Sequence, residues 1–231
     1  MMINIKDIFK ETLLVMRKKY LELCIFVLIA VIISLAPIYI MIKASSLDSV
    51  NNLLGKSVYE RGFAVIVGFM MVAAFIRSVL WSGIYYIVDH SLKGFREITF
   101  LIRFISKNFP RIFLLEVVYI LSYLILTPTI IGPYIFAFYC IFIEVTVLTF
   151  PQATSLSCFG QSVKSVRQNY GLMLRAYIAT ILLNIPYFIT LIASWFLVGT
   201  LIAIATILLS MIFTITLFRE LRAHTPSHKA R

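Results

Sequence analysis

Four charged residues stand inside or beside stretches that are otherwise apolar: Arg77, Glu116, Glu144 and Arg175. Arg77 interrupts the run from Gly62 to Val88, whose other members are apolar, aromatic or small. As helix that run is ~40 Å long, more than the ~30 Å of hydrocarbon in a bilayer. A guanidinium near its middle is costly unless it is paired, hydrated or able to reach the interface. Glu116 and Glu144 are the only formal charges between Arg111 and Lys164. Counted along their helices, both lie roughly 7–11 Å below the cytoplasmic face at ~1.5 Å per residue. Arg77 is expected to pair with Glu144 first and Glu116 second. Arg175, near the cytoplasmic mouth, would serve whichever glutamate remains. Two readings follow. The group is either a polar site for an ion, proton or headgroup, or a structural ion pair that fixes helix register.

Other chemistry is poorly supplied. His90 falls at an interface, and His224 and His228 sit in a polar tail. No HExxH, paired metal-ligand spacing, P-loop, GxSxG or dinucleotide fingerprint occurs. Cys24, Cys140 and Cys158 are far apart and form neither a CxxC nor a disulfide framework. Cys24 and Cys140 are expected in packing and Cys158 at the interface. The expectation is a non-enzyme with no cofactor and no bound metal.

The elements that must hold these charges are membrane helices. Of 231 residues, 61% are hydrophobic and 13% charged, about half the charge of a soluble domain. Apolar runs of about twenty residues recur along the chain. The fold class expected is all-α: a polytopic integral membrane protein with six transmembrane helices and interfacial amphipathic helices. Residues 1–231 form one membrane-embedded domain, with spans at about 21–42, 62–88, 112–130, 133–150, 173–196 and 199–218. The first apolar run ends without a small-x-small site, so it reads as a retained span.

Residues 1–20 and 91–110 place apolar side chains at helical spacing opposite basic ones, as helices lying in the headgroup plane do. Pro37 sits near the end of span 1, where a kink or a last-turn break is tolerated. The loop from Lys43 to Arg61 holds Ser45, Ser46, Asp48, Asn51, Asn52 and Gly55, a turn or short surface helix. Ser78, Ser82 and Gly83 give span 2 a small face for close helix approach, and Ala203, Thr206, Ser210 and Thr214 do so for span 6. Thr127-Pro128-Thr129 and Gly132-Pro133 mark a hairpin bend between spans 3 and 4. Asn184 and Pro186 interrupt span 5, with Asn184 bonding to another helix. Residues 176–218 carry no formal charge and are too long for one span, so the chain turns near Val198-Gly199.

Net charge is +11. The basic residues flank apolar spans, which points to anionic phospholipids rather than nucleic acid as the partner. Segments on one side hold sixteen Lys and Arg against three on the other, leaving out Arg77 and Arg175. The positive-inside rule then puts both termini in the cytoplasm, which requires an even number of spans.

Ser162, Arg167, Asn169 and Tyr170, set between two spans, resemble a cytoplasmic linker found in six-span bacterial inner-membrane families. These are the YciC-type proteins and the membrane domain attached to some glycerophosphodiester phosphodiesterases. The span order and the Pro/Gly bend are also similar, over roughly residues 80–220. Gln168 departs from the pattern, where glycine is common, as does Gly132-Pro133, where Pro-Gly is usual. The resemblance implies a six-helix inner-membrane protein and no particular activity. The four linker residues are either a binding epitope or an ordinary amphipathic linker capped by Asn169. The function expected is a non-enzymatic membrane component of envelope homeostasis or of a partner or transport complex. The alternatives are a small carrier or permease subunit using the Arg/Glu site, and, more remotely, an intramembrane enzyme.

Overall fold

The structure is a computed structural model that describes residues 4–46, 58–90, 95–129, 131–192 and 196–224. Expectations at residues 47–57 and beyond His224, and for the side chains of Asn184 and Ala203, lie outside the described residues. The described chain is helical throughout, with no strand. Its helices are α1 (Ile5–Ser46), α2 (Val58–Asp89), α3 (Phe95–Leu126), α4 (Gly132–Cys140), α5 (Ile143–Thr149), α6 (Ser155–Gln168), α7 (Tyr170–Ile192) and α8 (Phe196–His224). Among the described residues, four stretches are long and apolar enough to cross a membrane: Met70–Asp89, Arg96–Thr129, Gly132–Thr149 and Ile204–Ala223.

Their outward faces fit that reading. Leu114, Val118, Leu121 and Ile125 recur every three or four residues along α3, and all are exposed. Leu21, Ile25 and Leu28 do the same on α1. A soluble monomer rarely shows contiguous apolar patches of this size, whereas lipid tails cover them at no cost. The inward face of α3 carries Ile112, Leu115 and Glu116, all buried.

Element boundaries differ from expectation in five places. The amphipathic segment 91–110 and span 3 are one helix, α3, with Pro110 inside it. Proline removes one backbone donor, but the apolar stripe continues on both sides, so packing carries the helix through. The N-terminal amphipathic segment and span 1 are likewise one helix, α1, which runs past Pro37. The turn expected at Val198-Gly199 is displaced: α7 ends at Ile192, α8 begins at Phe196, and both residues lie inside α8. One glycine in an apolar helix costs only ~1 kcal/mol, too little to stop it there. Similarly, α7 continues through Pro186. The fifth difference is a gain. Span 4 is broken, with α4 ending at Cys140 and α5 starting at Ile143.

Helix α2 is central, packing against α1, α3, α5 and α8, while α1 also packs on α8. Ser78 and Ser82 are fully buried and donate to the Ala74 and Ser78 carbonyls of their own helix. Gly83 lets α1 approach, because a methyl group there would overlap the ring of Phe26. Gly83→Leu is therefore expected to destabilise the bundle by about 1–3 kcal/mol, the range for overpacked cores. The melting temperature of the purified chain reads this out, and adding Phe26→Ala should recover part of the loss. At one end of the bundle Arg219 of α8 pairs with Asp89 of α2 and lies over the Tyr85 ring. Lys19 reaches Glu22 at 3.7 Å, near the start of the apolar stretch of α1.

Candidate functional site

Arg77 projects from the middle of α2 toward α3 and α5, and its forked guanidinium serves both glutamates. Nε donates to Glu116 Oε2 at 2.7 Å, and Nη2 donates to Glu144 Oε1 at 3.2 Å. The tighter bond is to Glu116, not to Glu144 as the first-ranked pairing has it. The Tyr119 ring lies 5.6 Å from the guanidinium carbon, within cation–π range. Arginine suits this position because its planar fork offers several donors at once, whereas lysine is a point charge.

The three side chains differ in exposure. Glu116 is fully buried, and Glu144 is 4% exposed, but the Arg77 side chain is 41% exposed. The guanidinium is open on one side to a cavity of about 240 Å³. Trp81, Tyr119, Glu144, Tyr177, Thr180 and Thr214 are among its walls, so α2, α3, α5, α7 and α8 all contribute. Two polar atoms at the site are left over. Glu116 Oε1 and Trp81 Nε1 are buried without a hydrogen-bond partner. The wall hydroxyls of Thr180 and Thr214 donate to the carbonyls of Ala176 and Ser210 of their own helices.

The break in span 4 sets the position of Glu144. Phe142 leaves the helical path and is fully buried, while Ile141 keeps helical dihedrals and lines the cavity. The backbone groups freed by the break need partners, and α6 supplies them. The Ser162 hydroxyl accepts from Phe142 N–H at 3.3 Å and donates to the Tyr139 carbonyl at 2.8 Å. Thr146 also donates to the Phe142 carbonyl. Glu144 follows in the first turn of α5. Arg111 anchors the next corner through the carbonyls of Pro151 and Ala153.

The other expected residues separate. Arg175 is exposed near the start of α7 and forms no ion pair with either glutamate. Its expected role is corrected for a simple reason: both carboxylates are already engaged by one guanidinium. The linker residues split in function. Ser162 is buried and stitches the helix break, so it is not available as an epitope. Asn169 closes α6, its side chain donating to the Ser165 carbonyl at 3.0 Å. Arg167 and Tyr170 are exposed, with the Tyr170 ring edge-on to Phe138.

The cysteines are also redistributed. Cys24 is exposed, whereas Cys140 and Cys158 are buried. Burial pushes the Cys158 thiol above its ordinary range and Arg111 opposes the shift, which leaves an unreactive thiol in the packing of α6. Among the described residues no group of three His, Cys, Asp or Glu could hold a metal ion.

Sequence reasoning missed Trp81, Tyr119, Cys140, Tyr177 and Thr180 as walls of the cavity. Three of them carried a signal: Trp81 is four residues after Arg77, Tyr119 three after Glu116, and Cys140 four before Glu144. Residues at these spacings share a helix face. Comparison with known proteins adds no relative: no family model, curated protein or solved structure matches this chain.

Proposed function

We propose that this chain is a non-enzymatic bacterial inner-membrane protein that serves as a transport component, a small carrier or the membrane part of a transport complex. Its substrate is a small polar solute held in the cavity beside Arg77 and Glu144. One observation carries the reading: a charged cavity bounded by a discontinuous apolar helix. Non-helical backbone at membrane depth is tolerated where it is buried in protein or lines a cavity. Discontinuous spanning helices build the binding sites of many transporters. A purely structural ion pair would account for the charges but not for the open space beside them.

In this reading there are six spans and both termini are cytoplasmic. The two spans beyond the four membrane-length stretches come from residues 21–42 of α1 and from α7. The basic rim holds anionic phospholipids, and a cytoplasmic partner docks on α6, where Leu156 and Arg167 are exposed.

The test is a thermal-shift screen of the purified protein against small polar solutes, with counterflow into proteoliposomes for each hit. One solute class should raise the melting temperature of the wild type and not of Glu144→Gln. A solute at about 100 times its Kd would stabilise by ~2.7 kcal/mol. Equal shifts in both proteins, or no shift with any solute, would contradict the proposal.

A further inference from the structure

The buried charges at the site do not balance. Two carboxylates, Glu116 and Glu144, share one guanidinium, and the other titratable groups facing them are neutral in their ordinary state: Tyr119 from α3, Cys140 from α4 and Tyr177 from α7. Helix α8 contributes only Ser210, Thr214 and apolar side chains to this wall. With both carboxylates ionised, the centre would hold one uncompensated negative charge. Buried groups avoid that state by taking up a proton, and paired carboxylates do so by sharing one.

We infer that the site holds one exchangeable proton at neutral pH, carried on Glu144 and reached through the cavity. Geometry chooses between the two glutamates. Glu116 has the shorter bond to Arg77, at 2.7 Å against 3.2 Å, so it is the ionised partner. It is also fully buried and does not line the cavity. Glu144 lines the cavity, together with Tyr177, Thr180 and Thr214. Proton binding needs no co-reactant: the O–H bond forms on Glu144 and the proton is exchanged with water in the cavity. The inference deepens the transport reading and rests on it for its purpose, since a proton site beside a solute cavity makes the transport proton-coupled.

Infrared spectroscopy of the purified protein in nanodiscs at neutral pH is the test. The wild type should show a protonated-carboxyl C=O band that shifts in heavy water. Glu144→Gln should abolish the band. Glu144→Asp should move it, while Glu116→Asp should leave it in place. Absence of the band from the wild type overturns the inference without recourse to any variant. A band that survives Glu144→Gln, or that moves only in Glu116→Asp, overturns the assignment to Glu144. The band is read without any solute, so its presence or absence is separate from the thermal-shift result that decides the transport reading.

Discussion

Arg77→Leu is expected to cost about 3–5 kcal/mol of stability, the range for breaking a buried charged pair by removing one partner. The loss comes less from the missing bonds than from what stays behind. Glu116 is fully buried and one of its oxygens already has no partner, so without the guanidinium the other is stranded too. Monodisperse yield and melting temperature in detergent both read the effect. The triple change Arg77→Met, Glu116→Gln and Glu144→Gln should recover most of it, because replacing a whole buried ionic group is often neutral or stabilising. The triple variant would then be folded but unable to bind solute, which separates the structural part of the centre from its use. Stability of Arg77→Leu equal to that of the wild type would show that the guanidinium is not what neutralises the carboxylates.

The second large effect is expected far from the charges in sequence. Ser162→Val removes the hydroxyl that both accepts from Phe142 N–H and donates to the Tyr139 carbonyl. Each buried backbone group left unpaired costs about 1–3 kcal/mol, so the pair together costs roughly 2–6 kcal/mol. Hydrogen exchange localises the damage. Amides of residues 139–146 should exchange faster in the variant, while those of α2 keep their protection. Solute binding should weaken along with it, since the break sets the position of Glu144. Unchanged exchange in that segment would mean that α6 does not support the break.

How far the centre was legible in the sequence depends on what a linear pattern encodes. Counting residues along an apolar run gives depth, and depth brings Arg77, Glu116 and Glu144 to one level. It does not give the rotation of each helix, so the choice between the two glutamates was posed as an alternative when the guanidinium takes both. The same limit explains Arg175, which is exposed while both glutamates pair with Arg77. Long apolar stretches also conceal where helices stop. Cys140, Ile141 and Phe142 contain neither glycine nor proline, and the partner that permits the break, Ser162, is twenty residues away on another helix. Conversely Pro110 and Pro186 look like breaks and are not: each lies inside a continuous helix that tolerates one missing backbone donor. Local signals were reliable where the physics is local. Asn169 closes α6, its side chain donating to the Ser165 carbonyl.

Solid-state NMR on the chain in lipid bilayers addresses the centre most directly, through dipolar contacts between guanidinium nitrogens and glutamate carboxyl carbons. The bonds at 2.7 and 3.2 Å predict two short-range contacts for Arg77, one to Glu116 and one to Glu144, each lost when that glutamate is replaced by alanine. A guanidinium with contacts only to lipid tails or headgroups, and none to either carboxyl carbon, would contradict the account.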